Sequence, residues 1–354
     1  MKSKKTIAVL ILAAAGFSLV YILCAARPLS KEYQFTPEWK ISVSVPSVTE
    51  PEPGKKQLYF KLGQSLGYFS DDGKVSLYRS FPSKASVSCS YFALYTPEAQ
   101  ETPFFNPRGE KCGVISQAGF PYFDEDRIFV MLPGGSSFAK CAQDGSSRWT
   151  YYGTVPVTAF ASNRNCTAAG FADGTIKVFE NTGGETEIDF APGGSDYPVI
   201  LGLDISPDGE YVASVSGHER QRFVLAKKEP GQPKIVFHEF LDKDIQYRTL
   251  VYFCSDGKRV LYNYLDTLGI YDLDSGRSYK IPLSSRIISV EETGSLVFLL
   301  GRNGSTYTVY ILEKTNRVEG SFSFEADSAF IRTDGDTLFI GKDTSVSKIS
   351  VTRE

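Results

Sequence analysis

The chain has 354 residues, of which 42% are apolar, and its formal net charge is −3. It contains 25 phenylalanines and 20 tyrosines but only 2 methionines and 2 tryptophans, a profile typical of aromatic strands rather than of helical bundles. Beyond position 27 the charge is −7, from 34 basic and 41 acidic groups, and no basic cluster is present there. This balance argues against nucleic acid as a partner, because phosphate binding needs clustered lysine and arginine.

The first elements in chain order are a short basic stub, residues 1–5, and an uncharged stretch from Thr6 to Ala26. As a helix, the stretch of 21 residues would be about 31 Å long, close to the roughly 30 Å thickness of a bilayer core. Lysines precede it, so the positive-inside rule predicts a cytoplasmic stub and a single transmembrane helix over residues 6–26. The rest of the chain is then expected outside the cytoplasm, in the periplasm or the extracellular space.

Other interpretations of this stretch stay open. Cys24-Ala25-Ala26 offers small residues at the cleavage site of a signal peptide. Lipidation of Cys24 is a further alternative, although Tyr21-Ile22-Leu23 lacks the small residue expected before a lipidated cysteine. A buried core helix is the alternative with the least support, because nothing else in the chain is helical enough to pack around it. The uncleaved signal anchor is the leading interpretation, since the stretch is longer than the core of a signal peptide.

Residues 27–56 are predicted to be a juxtamembrane segment. Its residues 39–45 alternate apolar and polar side chains, which predicts a strand. Residues 45–56 are rich in proline and charge, which predicts a loop or a stiff spacer.

The remaining residues, 57–354, repeat one pattern: an apolar strand, a tight turn with glycine, and a second apolar strand. The pattern is seen at Phe104–Ile115 and Leu203–Ala213, and again around Asp256-Gly257, Thr293-Gly294 and Asp334-Gly335. Five steps from Gly109 to Gly335 average about 45 residues, the period of a radial all-β repeat. The sequence therefore predicts a single all-β domain, a β-propeller.

We expect seven four-stranded blades, with six or eight as alternatives, because the first two units are irregular. The first unit is placed over 57–103 and the second over 106–150. The last unit offers only three strands, at 329–331, 337–340 and 346–351, so the strand at 39–45 is predicted to complete it and close the ring.

Several phrases resemble known propeller repeats. Ser206-Pro207-Asp208-Gly209 and the residues that follow resemble the turn phrase of WD40-like repeats, and Ile270–Gly276 resembles a strand end of these repeats, with Tyr271 where tryptophan is usual. Asp144-Gly145-Ser146-Ser147-Arg148-Trp149 resembles quinoprotein-type repeats of envelope assembly propellers. The resemblance to this bacterial WD40-like or quinoprotein-like group implies a protein-binding platform more often than an enzyme.

No catalytic, cofactor-binding or metal-binding residue is assigned from the sequence, and no cofactor is predicted. His218 and His238 are the only histidines, and each lacks the second histidine that a zinc protease helix needs. Residues 301–304 are predicted to be a hairpin turn rather than a phosphate loop. Asp272–Gly276 has part of a calcium-loop pattern and is interpreted as a turn, as is the acidic run Asp124–Asp126.

The cysteines beyond Cys24 show no C-x-x-C spacing. Cys112 and Cys141 fall in one predicted blade and are the first candidates for a disulfide, with buried free thiols as the alternative. The other three are Cys89, Cys166 and Cys254.

The leading functional hypothesis is a membrane-anchored propeller outside the cytoplasm that binds a protein partner, as a scaffold in envelope assembly. A propeller hydrolase or lactonase is an alternative, and it requires Asp, Glu and Asn from several blades to converge in the central channel. A ligand-sensing ectodomain is a third hypothesis. The identity of the partner and the face that binds it do not follow from the sequence.

Overall fold

Antiparallel strands of three to ten residues make up nearly all of the structure, a computed structural model. It describes residues 11–18, 20–21, 33–44, 54–229, 232–294, 296–313 and 317–353. The strands form eight separate sheets, and the first strands of successive sheets contact one another around a ring. The prediction of an all-β propeller is confirmed, but the predicted number of seven blades is wrong: there are eight.

The blades are numbered here along the chain, and their strands run from the channel outward. Blades 1 to 4 consist of β2 Leu58–Leu62, β3 Ser65–Phe69 and β4 Val75–Ser80; β5 Lys84–Val87, β6 Phe92–Tyr95, β7 Thr102–Phe105 and β8 Lys111–Ile115; β9 Phe120–Asp124, β10 Arg127–Met131, β11 Phe138–Cys141 and β12 Ser147–Tyr151; β13 Val157–Ser162, β14 Cys166–Phe171, β15 Ile176–Glu180 and β16 Thr186–Phe190.

Blades 5 to 8 follow the same order. They consist of β17 Ile200–Ile205, β18 Tyr211–Ser216, β19 Arg222–Lys227 and β20 Lys234–Phe240; β21 Val251–Phe253, β22 Arg259–Tyr264, β23 Thr267–Asp272 and β24 Arg277–Pro282; β25 Arg286–Thr293, β26 Leu296–Asn303, β27 Thr306–Glu313 and β28 Arg317–Glu325; β29 Ala329–Asp334, β30 Thr337–Lys342, β31 Ser345–Arg353 and, as the outer strand, β1 Tyr33–Ser42.

The blade count was wrong because the early repeats do not have equal lengths. Blade 1 has only three strands, and residues 57–103 hold all of blade 1 and most of blade 2. Gly109 lies in the turn between the third and fourth strands of blade 2, whereas Gly209, Gly257 and Gly335 lie between first and second strands. The repeat length of about 45 residues was averaged from Gly109 onward, so it was measured between turns that are not equivalent.

The ring is closed by the N-terminal strand. β1 pairs with β31 in antiparallel register from Tyr33 opposite Arg353 to Ser42 opposite Ser345. This strand starts earlier than the 39–45 proposed from alternation alone. Because β1 and β31 come from opposite ends of the described chain, their pairing covers an edge that blade 8 would otherwise expose.

The prediction of a transmembrane helix over 6–26 is not supported. Residues 11–18, 20 and 21 are helical, and no helix among the described residues is long and apolar enough to cross a membrane. The other residues of the predicted span, including Cys24, lie outside the described residues, as does most of the juxtamembrane loop.

The core lies between the blades, where the second and third strands are almost completely buried. All six residues of β14 are buried, and so are the middle residues of β18, β19, β22 and β23. Aromatic rings stack across these interfaces: Phe223 of blade 5 lies 3.9 Å from Tyr262 of blade 6, with nearly parallel planes. Burial on both faces explains why these strands are continuously apolar rather than alternating.

Strand direction gives the ring two distinct faces. Because successive strands are antiparallel, the turns after the first strands of blades 2 to 8 and after the third strands of blades 2 to 7 lie at one end of the ring. We call this end the first-turn face. The opposite end carries the connections between blades, and we call it the connector face.

Candidate functional site

A cavity of 540 Å³ opens on the first-turn face, at the end of the central channel. It is formed by the first strands of blades 3 to 6 and by the turns that follow them. Its aromatic walls come from Tyr122 on β9, Phe160 on β13 and Tyr252 on β21. Tyr122 and Phe160 meet edge to face, with 5.6 Å between their ring centroids.

Two further cavities adjoin it on the same face, with volumes of 570 and 350 Å³. Arg164, in the turn after β13, lines all three. Carboxylates outnumber basic groups in their combined lining. The acidic side chains are Asp124, Glu125, Asp126, Glu180, Glu187, Asp204, Asp208 and Glu210, and the basic ones are Arg127, Arg164 and Lys228.

Carboxylates from several blades converge here, as the enzyme hypothesis required, but Asp124 and Asp204, which line the channel cavity, already have hydrogen-bond donors from the protein. Asp124 of blade 3 accepts a hydrogen bond of 2.5 Å from the Ser162 hydroxyl of blade 4 and pairs with Arg127. Asp204 of blade 5 accepts the Phe253 N–H of blade 6 at 2.7 Å. These contacts tie neighbouring blades together.

The same arrangement continues on the other side of the channel. Glu292 of blade 7 accepts hydrogen bonds from the Ser255 N–H at 2.7 Å and from the Tyr252 hydroxyl at 3.0 Å, both in blade 6. Glu291 pairs with Arg332 of blade 8 at 2.9 Å, and Arg332 also lies 3.9 Å over the ring of Tyr59 in blade 1. A belt of polar contacts therefore joins the blades near the first-turn face.

Asp204 differs from the other carboxylates of the belt because both of its bonds come from neutral backbone groups. Its second bond is from the Ile205 N–H at 2.9 Å. Burial raises the pKa of Asp204 to about 7, and the nearby charge of Asp124 adds to this, while the two N–H groups oppose it. The carboxyl group of Asp204 therefore titrates near neutral pH.

The residues that the sequence analysis weighed as sites lie elsewhere or serve as structure. His218 follows β18 and His238 lies on the outer strand β20, both in blade 5. Asp272 accepts hydrogen bonds from the N–H and hydroxyl of Ser275, which makes the Asp272–Gly276 segment a turn. Among the described residues, no three His, Cys, Asp or Glu side chains are grouped so that they could hold a metal ion.

The candidate disulfide is not formed. Cys112 and Cys141 are both free thiols, as are the three other cysteines beyond Cys24. Burial raises the pKa of Cys141 and of Cys166 to about 11, so both thiols are protonated at neutral pH.

One motif passed over in the sequence analysis is Gly63-Gln64-Ser65-Leu66-Gly67, which has the G-x-S-x-G spacing of a nucleophile elbow. In the structure it spans the hairpin between β2 and β3, and the Ser65 and Tyr78 hydroxyls hydrogen-bond at 2.9 Å. A nucleophile elbow joins a strand to a helix, whereas here two strands flank the turn. The motif is a hairpin.

The sequence analysis also missed the aromatic residues of the cavity. Tyr122 and Tyr252 alternate with buried neighbours on short first strands. Asp204 lies inside a repeat that was recognised only for its turn. Their position in the repeat could have identified these residues from the sequence, because each lies near the end of a first strand, where a propeller channel opens.

The fold and this cavity define the class: a closed eight-bladed propeller with an aromatic and acidic cavity at one mouth of its channel. The chain belongs to a family described as beta-propeller protein, whose model matches residues 1–353.

An uncharacterized protein of Treponema pallidum (strain Nichols) is 28% identical over 368 residues, covering 99% of this chain and 96% of that protein. Among solved structures, BamB from Moraxella catarrhalis matches with a TM-score of 0.61 at 13% identity, over 90% of this chain and 98% of that chain. At this identity the likeness is one of fold alone. The finer resemblance to WD40-like or quinoprotein-like repeats stays a prediction.

Proposed function

We propose that this protein is a scaffold that binds a protein partner through its first-turn face. The observation that carries the proposal is a difference between two groups of residues on this face, the carboxylates of the channel and the residues of the rim. The carboxylates of the channel are engaged in holding the blades together, while Tyr122 and Arg164 are exposed at the rim. Exposed tyrosine and arginine beside a cavity are typical of the residues that dominate protein interfaces.

Arg164 adds a specific feature to this rim. Its side chain has no hydrogen-bond or ion-pair partner among the described residues, although it lies where three cavities meet. A rigid ring of blades presents such a residue in a fixed position, which lowers the entropy cost of binding.

We also propose that the propeller acts outside the cytoplasm, in envelope assembly. The lysines and the uncharged stretch at the N-terminus support the location, and the resemblance of residues 144–149 to quinoprotein-type repeats supports the role. Protease added to intact cells with a permeabilised outer layer should digest the propeller. Protection of the propeller until the inner membrane is lysed would contradict this location.

The binding face can be tested with a photo-crosslinking amino acid placed in the full chain in its native cells. At Arg164 we expect one defined adduct with another protein. At Lys243, an exposed residue of the connector face, we expect none. Absence of an adduct at position 164, or the same adducts at both positions, would overturn the assignment of this face.

A further inference from the structure

Asp204 is a carboxyl group of the channel cavity that has no cation beside it. Asp124 pairs with Arg127, which also pairs with Glu125 at 3.0 Å, and Glu291 pairs with Arg332. Asp204 forms no ion pair among the described residues, and its two hydrogen bonds come from backbone N–H groups. Burying a charged carboxylate without a positive partner costs free energy. A bound molecule that carries a positive charge can supply the partner that Asp204 lacks.

The walls above Asp204 suit a long cationic side chain. Tyr122, Phe160 and Tyr252 line the same cavity, and aromatic faces attract ammonium and guanidinium groups. A lysine or arginine stem can cover these rings while its charged end reaches the carboxyl group. The cavity volume of 540 Å³ also falls within the usual range of ligand pockets, about 300–1,000 Å³.

The charge of the surrounding face favours the same kind of partner. The three adjoining cavities together hold eight carboxylates and three basic side chains. Two of the basic groups, Arg127 and Lys228, are in ion pairs with Glu125 and Glu187. A basic segment would therefore be attracted to this face before it makes contact.

We propose that the channel cavity receives a lysine or arginine side chain from a basic segment of the partner protein, with Asp204 as its counter-ion. This inference rests on the proposed scaffold function and specifies the chemistry of the partner. The exposed Arg164 lies at the rim, where it can pair with an acidic residue that flanks the inserted side chain. Arg127 stays with Asp124 and leaves Asp204 to the incoming cation.

Binding is then coupled to the protonation of Asp204. The charged groups that line the same cavity are Asp124, Glu125 and Arg127 from blade 3 and Arg164 from blade 4, with Tyr122 and Tyr252 as neutral walls. Since the pKa of Asp204 is about 7, its charged fraction rises from about one tenth at pH 6 to about nine tenths at pH 8. A cation that binds only the charged form gains about tenfold in affinity over this interval.

The test is isothermal titration calorimetry of the full chain with a synthetic peptide of alternating lysine and glycine, capped at both ends. A peptide with glutamate in place of lysine is the control ligand. We expect binding of the lysine peptide only, about tenfold tighter at pH 8 than at pH 6. In two buffers of different ionisation enthalpy at pH 7, the heats should show release of about half a proton per peptide bound.

Asp204→Asn should weaken binding of the lysine peptide at pH 8 and remove the pH dependence. Asp266→Asn is the matched control, because it removes one carboxylate from the connector face and should leave the affinity within twofold. Should Asp204→Asn fail to fold, proton release in the unmodified chain decides the question alone.

Equal affinity at pH 6 and pH 8 without proton release would overturn the inference, as would equal binding of the glutamate peptide. A crosslinked partner at position 164 combined with no binding of the lysine peptide would refute the basic partner and leave the scaffold function standing. Peptide binding without any crosslinked partner would instead count against the scaffold function.

Discussion

Single carboxyl groups show how their place in the propeller changes their pKa. Asp204 lies near the channel, yet its position among apolar strands raises its pKa to about 7. Exposed carboxylates behave in the opposite way: hydrogen bonds from Lys348 and Ser350 hold the pKa of Glu38 below its usual value. The environment of each residue decides which way its pKa moves.

The raised pKa of Asp204 predicts a pH effect on stability. The folded state holds the proton of Asp204 more tightly than the unfolded state, so the stabilisation is present below about pH 4 and is lost as pH rises towards 7. We expect the slope from this residue to reach about 1.4 kcal/mol per pH unit. Urea unfolding of Asp204→Asn between pH 4 and 8 should lack this slope. A parallel pH profile in the variant and the unmodified chain would contradict the prediction.

Gly67 on β3 predicts a steric effect. A Cβ atom there would lie 2.0 Å from the Leu77 carbonyl oxygen on the neighbouring strand and 2.7 Å from the ring of Phe60. Backbone cannot move aside as a flexible side chain can, so we expect Gly67→Ala to reduce the free energy of unfolding by about 2–3 kcal/mol. Gly320→Ala is the control, since nothing lies within 4 Å of its Cβ position. Equal stability of the two variants in urea would refute this reasoning.

At the scale of elements, the closing strand β1 has the most specific role. Its side chains contact the neighbouring blades as well as its own. Trp39 meets Phe339 of blade 8 with 5.9 Å between ring centroids and donates its indole N–H to the Asp71 carbonyl of blade 1 at 3.2 Å. Phe35 meets Phe298 of blade 7 edge to face. A few residues of β1 therefore join blade 8 to blade 1.

This role predicts a cost for Trp39→Ala. The indole is only partly buried, so we expect a loss of about 2 kcal/mol, less than for a fully buried tryptophan. Trp39→Phe should restore most of the packing but not the bond to Asp71. Lys40→Ala, an exposed neighbour on the same strand, should change the free energy of unfolding by less than about 0.5 kcal/mol. A Trp39→Ala variant as stable as Lys40→Ala would show that β1 does not hold the ring closed.

At the scale of the molecule, the ring makes each blade depend on both neighbours. Polar contacts and stacked rings cross interfaces between blades, and β1 joins the two ends of the described chain. A closed ring should therefore unfold as one unit, in a single calorimetric transition.

Removal of β1 tests this dependence. A variant that begins at Val43 leaves β31 as an unpaired edge, which is a template for pairing with another chain. We expect a lower melting temperature, a broader transition and oligomers in size-exclusion chromatography. A monomeric variant with an unchanged, sharp transition would contradict the view that β1 closes the ring.

The sequence was enough to predict the repeat unit and its turns, because these depend on local chemistry. Glycine in the left-handed region is needed at Gly209, Gly257 and Gly335, and apolar runs on both sides of each turn can only be buried strands. The segment Leu203–Ala213, predicted as two apolar strands around a glycine turn, lies on the strands Ile200–Ile205 and Tyr211–Ser216 and the turn between them.

The tertiary structure alone decided the number of blades and the location of the cavity. Blade 1 has three strands, so counting strands or turns along the chain cannot assign them to blades; only the sheet pairing does so. Tyr122, Phe160, Asp204 and Tyr252 are separated by up to 130 residues and meet because the ring brings the first strands of four blades together. Local periodicity determines which strands form, whereas which of their residues meet depends on contacts between residues that are distant in sequence.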